Sequence, residues 1–129
     1  MILPTPKILG YMLLVVDDEK PVRDITVRML GDAGYRVVGA ESGAEALELV
    51  ERGDVQLVVA DVTMPGMSGR QLGERLHRLR PEVPLLFMSG FTSPGIAADL
   101  PGPFLSKPFT QADLLRQVHA LLHDAEAGV

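Results

Sequence analysis

Met12-Leu13-Leu14-Val15-Val16-Asp17-Asp18-Glu19-Lys20-Pro21 is the stretch that decides how this chain folds. An apolar run stops abruptly at three consecutive acids, and a proline follows where the first turn of a helix accepts one. The pattern recurs downstream. Residues 55–60 form a second apolar run, and it too ends on an acid, Asp61. Residues 85–88 form a third, ending at Ser89, and the short run Phe104-Leu105 leads into Lys107-Pro108. Runs this nearly apolar are expected of parallel strands buried on both faces.

The intervals between these runs read as helices. Val22, Ile25, Met29 and Leu30 recur at helical spacing, and Gly34 stands where a C-terminal cap belongs. Residues 35–40 read as a short strand. Ser42 and Glu45 have the spacing of a capping box, opening a helix that ends by Gly53. Met64-Pro65-Gly66-Met67 is a turn, and Ser68 with Gln71 makes a second capping box. Leu72, Leu76 and Leu79 then form one stripe, which Pro81 terminates. Thr110 caps a last helix whose Leu114, Leu115, Val118, Leu121 and Leu122 share one face. This alternation places the chain in the α/β class, a doubly wound parallel sheet with helices on both sides.

Composition agrees and excludes several functions. The chain has 129 residues, enough for one domain, with 47% hydrophobic and 22% charged residues. Residues 1–10 read as an N-terminal tail or linker broken by Pro4, Pro6 and Gly10, residues 11–123 as the folded domain, and residues 124–129 as a C-terminal tail. With no cysteine there is no disulfide framework, thiolate zinc site or cysteine nucleophile. That fits a reducing compartment, and the expected location is cytoplasmic. A net charge of −5 lacks the basic field of a nucleic-acid binder. The longest apolar run, residues 11–16, is too short to cross a bilayer, so membrane insertion is not expected. No P-loop is present.

In an open parallel sheet, ligands bind beyond the carboxyl ends of the strands. Asp17, Asp18, Asp61, Ser89 and Lys107 all fall there. A single acid after a strand is ordinarily a turn or cap residue. Clustered carboxylates differ, because they repel one another unless a cation is present. Hard oxygen donors at an open edge suit Mg²⁺, and a lone lysine supplies a point charge for phosphate or carboxylate.

These residues, in this order, resemble the receiver domains of two-component response regulators. The resemblance covers roughly residues 11–123 and rests on Val15-Val16-Asp17-Asp18-Glu19, on residues 61–69, on Met88-Ser89-Gly90 and on Lys107-Pro108-Phe109. It implies a (βα)5 flavodoxin-like fold with strand order 2-1-3-4-5. It implies that Asp61 is the phosphoacceptor, taking a phosphoryl group from a histidine kinase or phosphotransfer protein to form an aspartyl phosphate. Asp18 would bind Mg²⁺ directly, Asp17 directly or through water, and Asp61 and the backbone carbonyl of Thr63 would complete the protein ligands. Lys107 would pair with Asp61 and then with a phosphoryl oxygen, and its bond to Pro108 matches the family's cis peptide. Ser89 and Phe104 would be the switch residues, and Thr63 and Phe91 would flank the path of the hydrolytic water. The module would be a monomer or weak dimer, touching no nucleic acid directly and catalysing only its own phosphorylation and dephosphorylation.

Departures from the family are specific. Phe104 stands where many members carry tyrosine, Phe91 where small or polar residues are common, and the interval between Ser89 and Lys107 is short. Pro94-Gly95 and Pro101-Gly102-Pro103 leave only residues 96–100 for a reduced fourth helix. The few residues after Leu122 leave no output domain in this sequence to be expected, and direct transcription control is likewise not expected. The wording around Gly34 and Met64 resembles receivers attached to hybrid histidine kinases, and single-domain regulators are the other likeness. Two rival readings are a receiver-like interaction module that is never phosphorylated and a small Mg²⁺-dependent phosphatase with an aspartate nucleophile. The phosphatases carry an acid two residues after the nucleophile, where this chain has Thr63. His77, His119 and His123 read as solvated helix faces rather than ligands or phosphodonors, and the methionines as packing.

Overall fold

The computed structural model describes residues 12–90, 100 and 102–127. The elements are β1 (Met12–Val16), α1 (Lys20–Asp32), β2 (Arg36–Ala40), α2 (Gly43–Arg52), β3 (Val55–Asp61), α3 (Gly69–Leu79), β4 (Leu85–Ser89), β5 (Phe104–Ser106) and α4 (Gln111–Ala127). The five strands form one sheet in the order β2-β1-β3-β4-β5, and every pairing is parallel. The expected architecture and strand order are therefore borne out.

Side chains alternate across a strand, and this divides the interior in two. Leu13, Val15, Leu57, Val59, Leu86 and Met88 face Leu30 of α1 and Leu114, Val118 and Leu122 of α4. Leu14, Val16, Val58 and Ala60 face Ala46 and Val50 of α2 and Leu72 and Leu76 of α3. Each fully buried leucine or valine contributes about 2 kcal/mol of transfer free energy. Both faces need that burial, so the helices are held on opposite sides and the carboxyl edge of the sheet is left open between them.

At the opposite, amino edge the register slips between Met12 and Leu13, which pair with Val55 and Leu57. Gln56 is the extra residue, and its Oε1 accepts the Met12 N–H at 2.6 Å. A local irregularity thus finds its missing hydrogen bond in a side chain.

Four expectations change in detail. Ile25 is 56% exposed, and Thr26 takes the buried position instead. Its hydroxyl donates to the Val22 carbonyl at 2.8 Å, which lets a polar residue enter the core face. Leu79, third of the expected stripe, is 40% exposed because α3 ends there. The Ser42 hydroxyl caps the Glu45 N–H, but Glu45 returns its bond to the Glu41 N–H rather than to Ser42, so the box is offset by one residue. The last helix runs to Ala127, into the stretch read as a tail, since no Gly or Pro interrupts it before Gly128. The N-terminal tail, Phe91 and the reduced fourth helix fall outside the described residues, apart from Leu100, which is not helical. Among the described residues no helix is long and apolar enough to cross a membrane.

Candidate functional site

Parallel register brings the strand ends level. Val16 pairs with Ala60, Asp61 with Met88 and Ser89 with Ser106, so the residues that follow emerge side by side. Backbone bonds continue the alignment past the strands: Asp17 N–H donates to Ala40, Val62 to Met88 and Lys107 to Ser89. Asp17, Asp61 and Ser89 are buried, whereas Asp18, Glu19 and Thr63 are exposed.

Lys107 joins the two buried acids. Its Nζ lies 3.1 Å from Asp17 Oδ2 and 3.3 Å from Asp61 Oδ2. The Asp61 pairing is the one implied from sequence; the Asp17 pairing was not anticipated, and it is the shorter. The Lys107-Pro108 bond is cis, as the resemblance implies. Just beyond it Thr110 and Asp113 cap α4 reciprocally: Thr110 Oγ1 accepts the Asp113 N–H at 3.0 Å and Asp113 accepts the Thr110 N–H at 3.4 Å. That cap fixes the chain that carries the lysine.

Asp17 is held at every polar atom. Its Oδ1 accepts the Glu19 N–H at 3.0 Å, its Oδ2 faces Lys107, and its carbonyl accepts Arg23 Nη1 at 2.7 Å. Asp61 Oδ1 accepts the Thr63 N–H at 3.2 Å. Its own backbone is approached closely by Gly69 at the start of α3, where any Cβ would run into the Asp61 carbonyl oxygen. Gly66 has φ +76, which the turn requires and glycine adopts without strain. The Ser68–Gln71 capping box is complete, so α3 begins at a fixed point beside the acid.

Burial raises the Asp61 pKa, Lys107 and the Thr63 N–H oppose that rise, and Asp17 adds to it. For Lys107 burial works against the charge, but the bonds and fields of Asp17 and Asp61 outweigh it and the pKa is raised. The lysine therefore stays cationic among acids that need it.

Carboxylate oxygens of Asp17, Glu19 and Asp61 lie within 4.8 Å of one another, a group able to hold a metal ion. Glu19 was not singled out from the sequence; only its place in the acidic run marked it. Asp18, expected as the direct ligand, is exposed and not part of that group. The donors are all hard oxygens, few in number and open to solvent on one side, which suits an ion that keeps several waters, as Mg²⁺ does.

Next to the site lies an open apolar hollow of about 390 Å³, lined by Val22, Ile25, Met29, Pro108 and Phe109, with Lys107 at its margin. The exposed Ile25 belongs to it. Phe104 is half-buried in β5. His77 is exposed on α3, as expected, but His119 and His123 are not scattered: they pair on α4.

Comparison with known proteins matches residues 13–119 to the model of the response regulator receiver domain. The sensor kinase CckA of Brucella abortus is 40% identical over 116 residues, 85% of this chain and 12% of that protein. The response regulator receiver protein CpdR of the same organism is 31% identical over 114 residues, covering 85% of this chain and 95% of that one. Among solved structures, a CheY-like receiver domain from Methanospirillum hungatei superposes with a TM-score of 0.85 at 28% identity, covering 92% and 98% of the two chains. The response regulator TrrA of Thermotoga maritima, solved in complex with Mg²⁺ and BeF, gives a TM-score of 0.80 at 28% identity, covering 86% and 98%.

Proposed function

The chain belongs to the response regulator receiver domain family of two-component signalling, and from that premise we propose that Asp61 is its phosphoacceptor. Receiver domains interact with histidine kinases or phosphotransfer proteins; the donor here is proposed to be a phosphohistidine on such a protein. The Asp61 carboxylate attacks phosphorus, the phosphorus–nitrogen bond breaks, and the imidazole leaves as an aspartyl phosphate forms. The observation that carries this reading is Lys107 bridging Asp17 and Asp61 at the carboxyl edge of the sheet.

Phosphoryl transfer is mostly positioning and charge neutralisation. Lys107, 3.3 Å from Asp61 Oδ2, is proposed to pass from Asp61 to a phosphoryl oxygen. Ser89, buried at the neighbouring strand end, is proposed to bond another, with half-buried Phe104 following it as the second switch residue. Bound Mg²⁺ would supply the remaining positive charge for the phosphoryl oxygens. Asp17, Asp18, Asp61 and the Thr63 carbonyl are its proposed ligands, with Glu19 close enough to hold one of its waters. The hollow beside Ile25 and Phe109 gives the donor protein an apolar seat next to Lys107. Thr63, and Phe91 beyond the described residues, are proposed to border the water's path. The module then acts in the cytoplasm as a monomer or weak dimer, binds no nucleic acid itself and turns over no substrate but its own phosphoryl group.

Incubation with Mg²⁺ and acetyl phosphate, followed by intact mass, tests this reading. One added phosphoryl group, absent from Asp61→Asn, is the expected result. No added mass would favour an interaction module that is never phosphorylated, and release of inorganic phosphate from varied substrates would favour a phosphatase.

A further inference from the structure

The outer face of α4 carries a pair of histidines, different in chemistry from the carboxylate edge. His119 and His123 stand one helical turn apart and both are exposed. Their Nε2 atoms are 2.9 Å apart, and the ring centroids are 4.1 Å apart with the planes tilted by 56°. Two neutral imidazoles at that distance share one proton, since one nitrogen must donate and the other accept. A metal ion could take both Nε2 lone pairs once the donor ring passes its proton from Nε2 to Nδ1 through water, leaving both rings neutral.

The spacing selects a geometry. Imidazole nitrogen sits about 2.0–2.1 Å from a first-row metal, so two nitrogens at right angles around it are about 2.9 Å apart. A tetrahedral angle would need about 3.4 Å by the same geometry. The observed separation fits adjacent positions of a square-planar or octahedral ion, the preference of Cu²⁺ and Ni²⁺. The helix supplies the spacing, so the rings need little rearrangement. The nearby cation Arg116 is turned to Asp113 at 3.4 Å, towards the start of the helix.

We propose that His119 and His123 chelate a Cu²⁺- or Ni²⁺-class ion through both Nε2 atoms, with water in its other positions. The two sites are kept apart by ligand type and metal supply, because imidazole suits such ions better than carboxylate does and excess Mg²⁺ competes for the carboxyl edge. The ion spans one turn of folded helix, so it stabilises the native chain by mass action.

Calorimetric titration with Ni²⁺, in buffer saturated with Mg²⁺ to occupy the acids, tests the site. The expected result is one Ni²⁺ per chain, with Cu²⁺ binding more tightly. Loss of a mere hydrogen-bond partner of a metal ligand already costs about tenfold. His119→Ala and His123→Ala, and likewise His119→Gln and His123→Gln, should therefore each weaken binding by about tenfold or more. His77→Ala and Asp61→Asn should leave the Ni²⁺ affinity unchanged, and the rise in Tm with Ni²⁺ should vanish in the His119 and His123 variants. No binding to the wild-type chain, unchanged affinity in those variants, or heat that disappears in Asp61→Asn would overturn the proposal. Labelling by acetyl phosphate does not involve these histidines, so its outcome is independent of this one.

Discussion

The two ends of the same sheet are built on opposite terms. At the amino edge, the awkward group is one neutral backbone N–H, and Gln56 accepts its hydrogen bond beside a register slip. At the carboxyl edge the chain buries Asp17 and Asp61 and brings the charge of Lys107 in to meet them. A buried ion cluster rarely stabilises a fold as well as apolar side chains of equal size would. The amino edge is therefore organised for stability and the carboxyl edge for chemistry. Substitutions at the two ends should separate accordingly.

The largest effect belongs to Asp61→Asn. Phosphorylation should disappear, while stability in chelator should not fall, because the variant relieves the repulsion between Asp61 and Asp17. A large drop in Tm would instead give Asp61 a structural role. Lys107→Ala acts the other way. It leaves Asp17 and Asp61 buried without their cation, and should cost about 3 kcal/mol in Mg²⁺-free denaturant titrations while also abolishing labelling.

The pH dependence sharpens the contrast. A carboxyl whose pKa is raised in the folded state binds its proton more tightly there than in the unfolded chain. Stability is thus lost as pH rises from the ordinary aspartate value through the raised one. Wild type should lose stability relative to Asp61→Asn across that window, by denaturant titration in chelator. Parallel curves for the two proteins would contradict the assignment.

Metal affinity gives a finer division within the acidic run. Asp18→Ala should weaken Mg²⁺ binding more than Glu19→Gln, by calorimetry, if Asp18 is a direct ligand and Glu19 acts through water. The reverse order would exchange their roles. The smallest effect is at the other end of the sheet. Gln56→Ala should cost about 1 kcal/mol, the worth of one hydrogen bond, and leave labelling by acetyl phosphate unchanged.

Much of this was legible in the sequence because parallel strands buried on both faces must be nearly all apolar. Each run ends on a charged or hydroxyl residue, so Asp17, Asp61 and Ser89 mark strand ends unaided, with Gln56 the one polar residue inside a run. What escaped depended on reach or on a local exchange. Lys107 and Asp17 lie at opposite ends of the domain's sequence, with β3 and β4 between their strands, and only the reach of the lysine across the carboxyl edge makes them neighbours. Ile25 fits the helical stripe of α1, yet Thr26 takes the core place by bonding its hydroxyl to the preceding turn. His119 and His123 are four residues apart, and the helical spacing that could have paired them was visible; what was missing was the rotamers that bring their nitrogens together.

The most direct test of the central claim is to locate the phosphoryl group. The chain would be phosphorylated with Mg²⁺ and acetyl phosphate, reduced with borohydride, which converts an aspartyl phosphate to homoserine, and mapped by peptide mass. Homoserine at position 61 alone is the predicted result. Homoserine at position 17 or 18, or a phosphoryl group retained on a histidine, would contradict it.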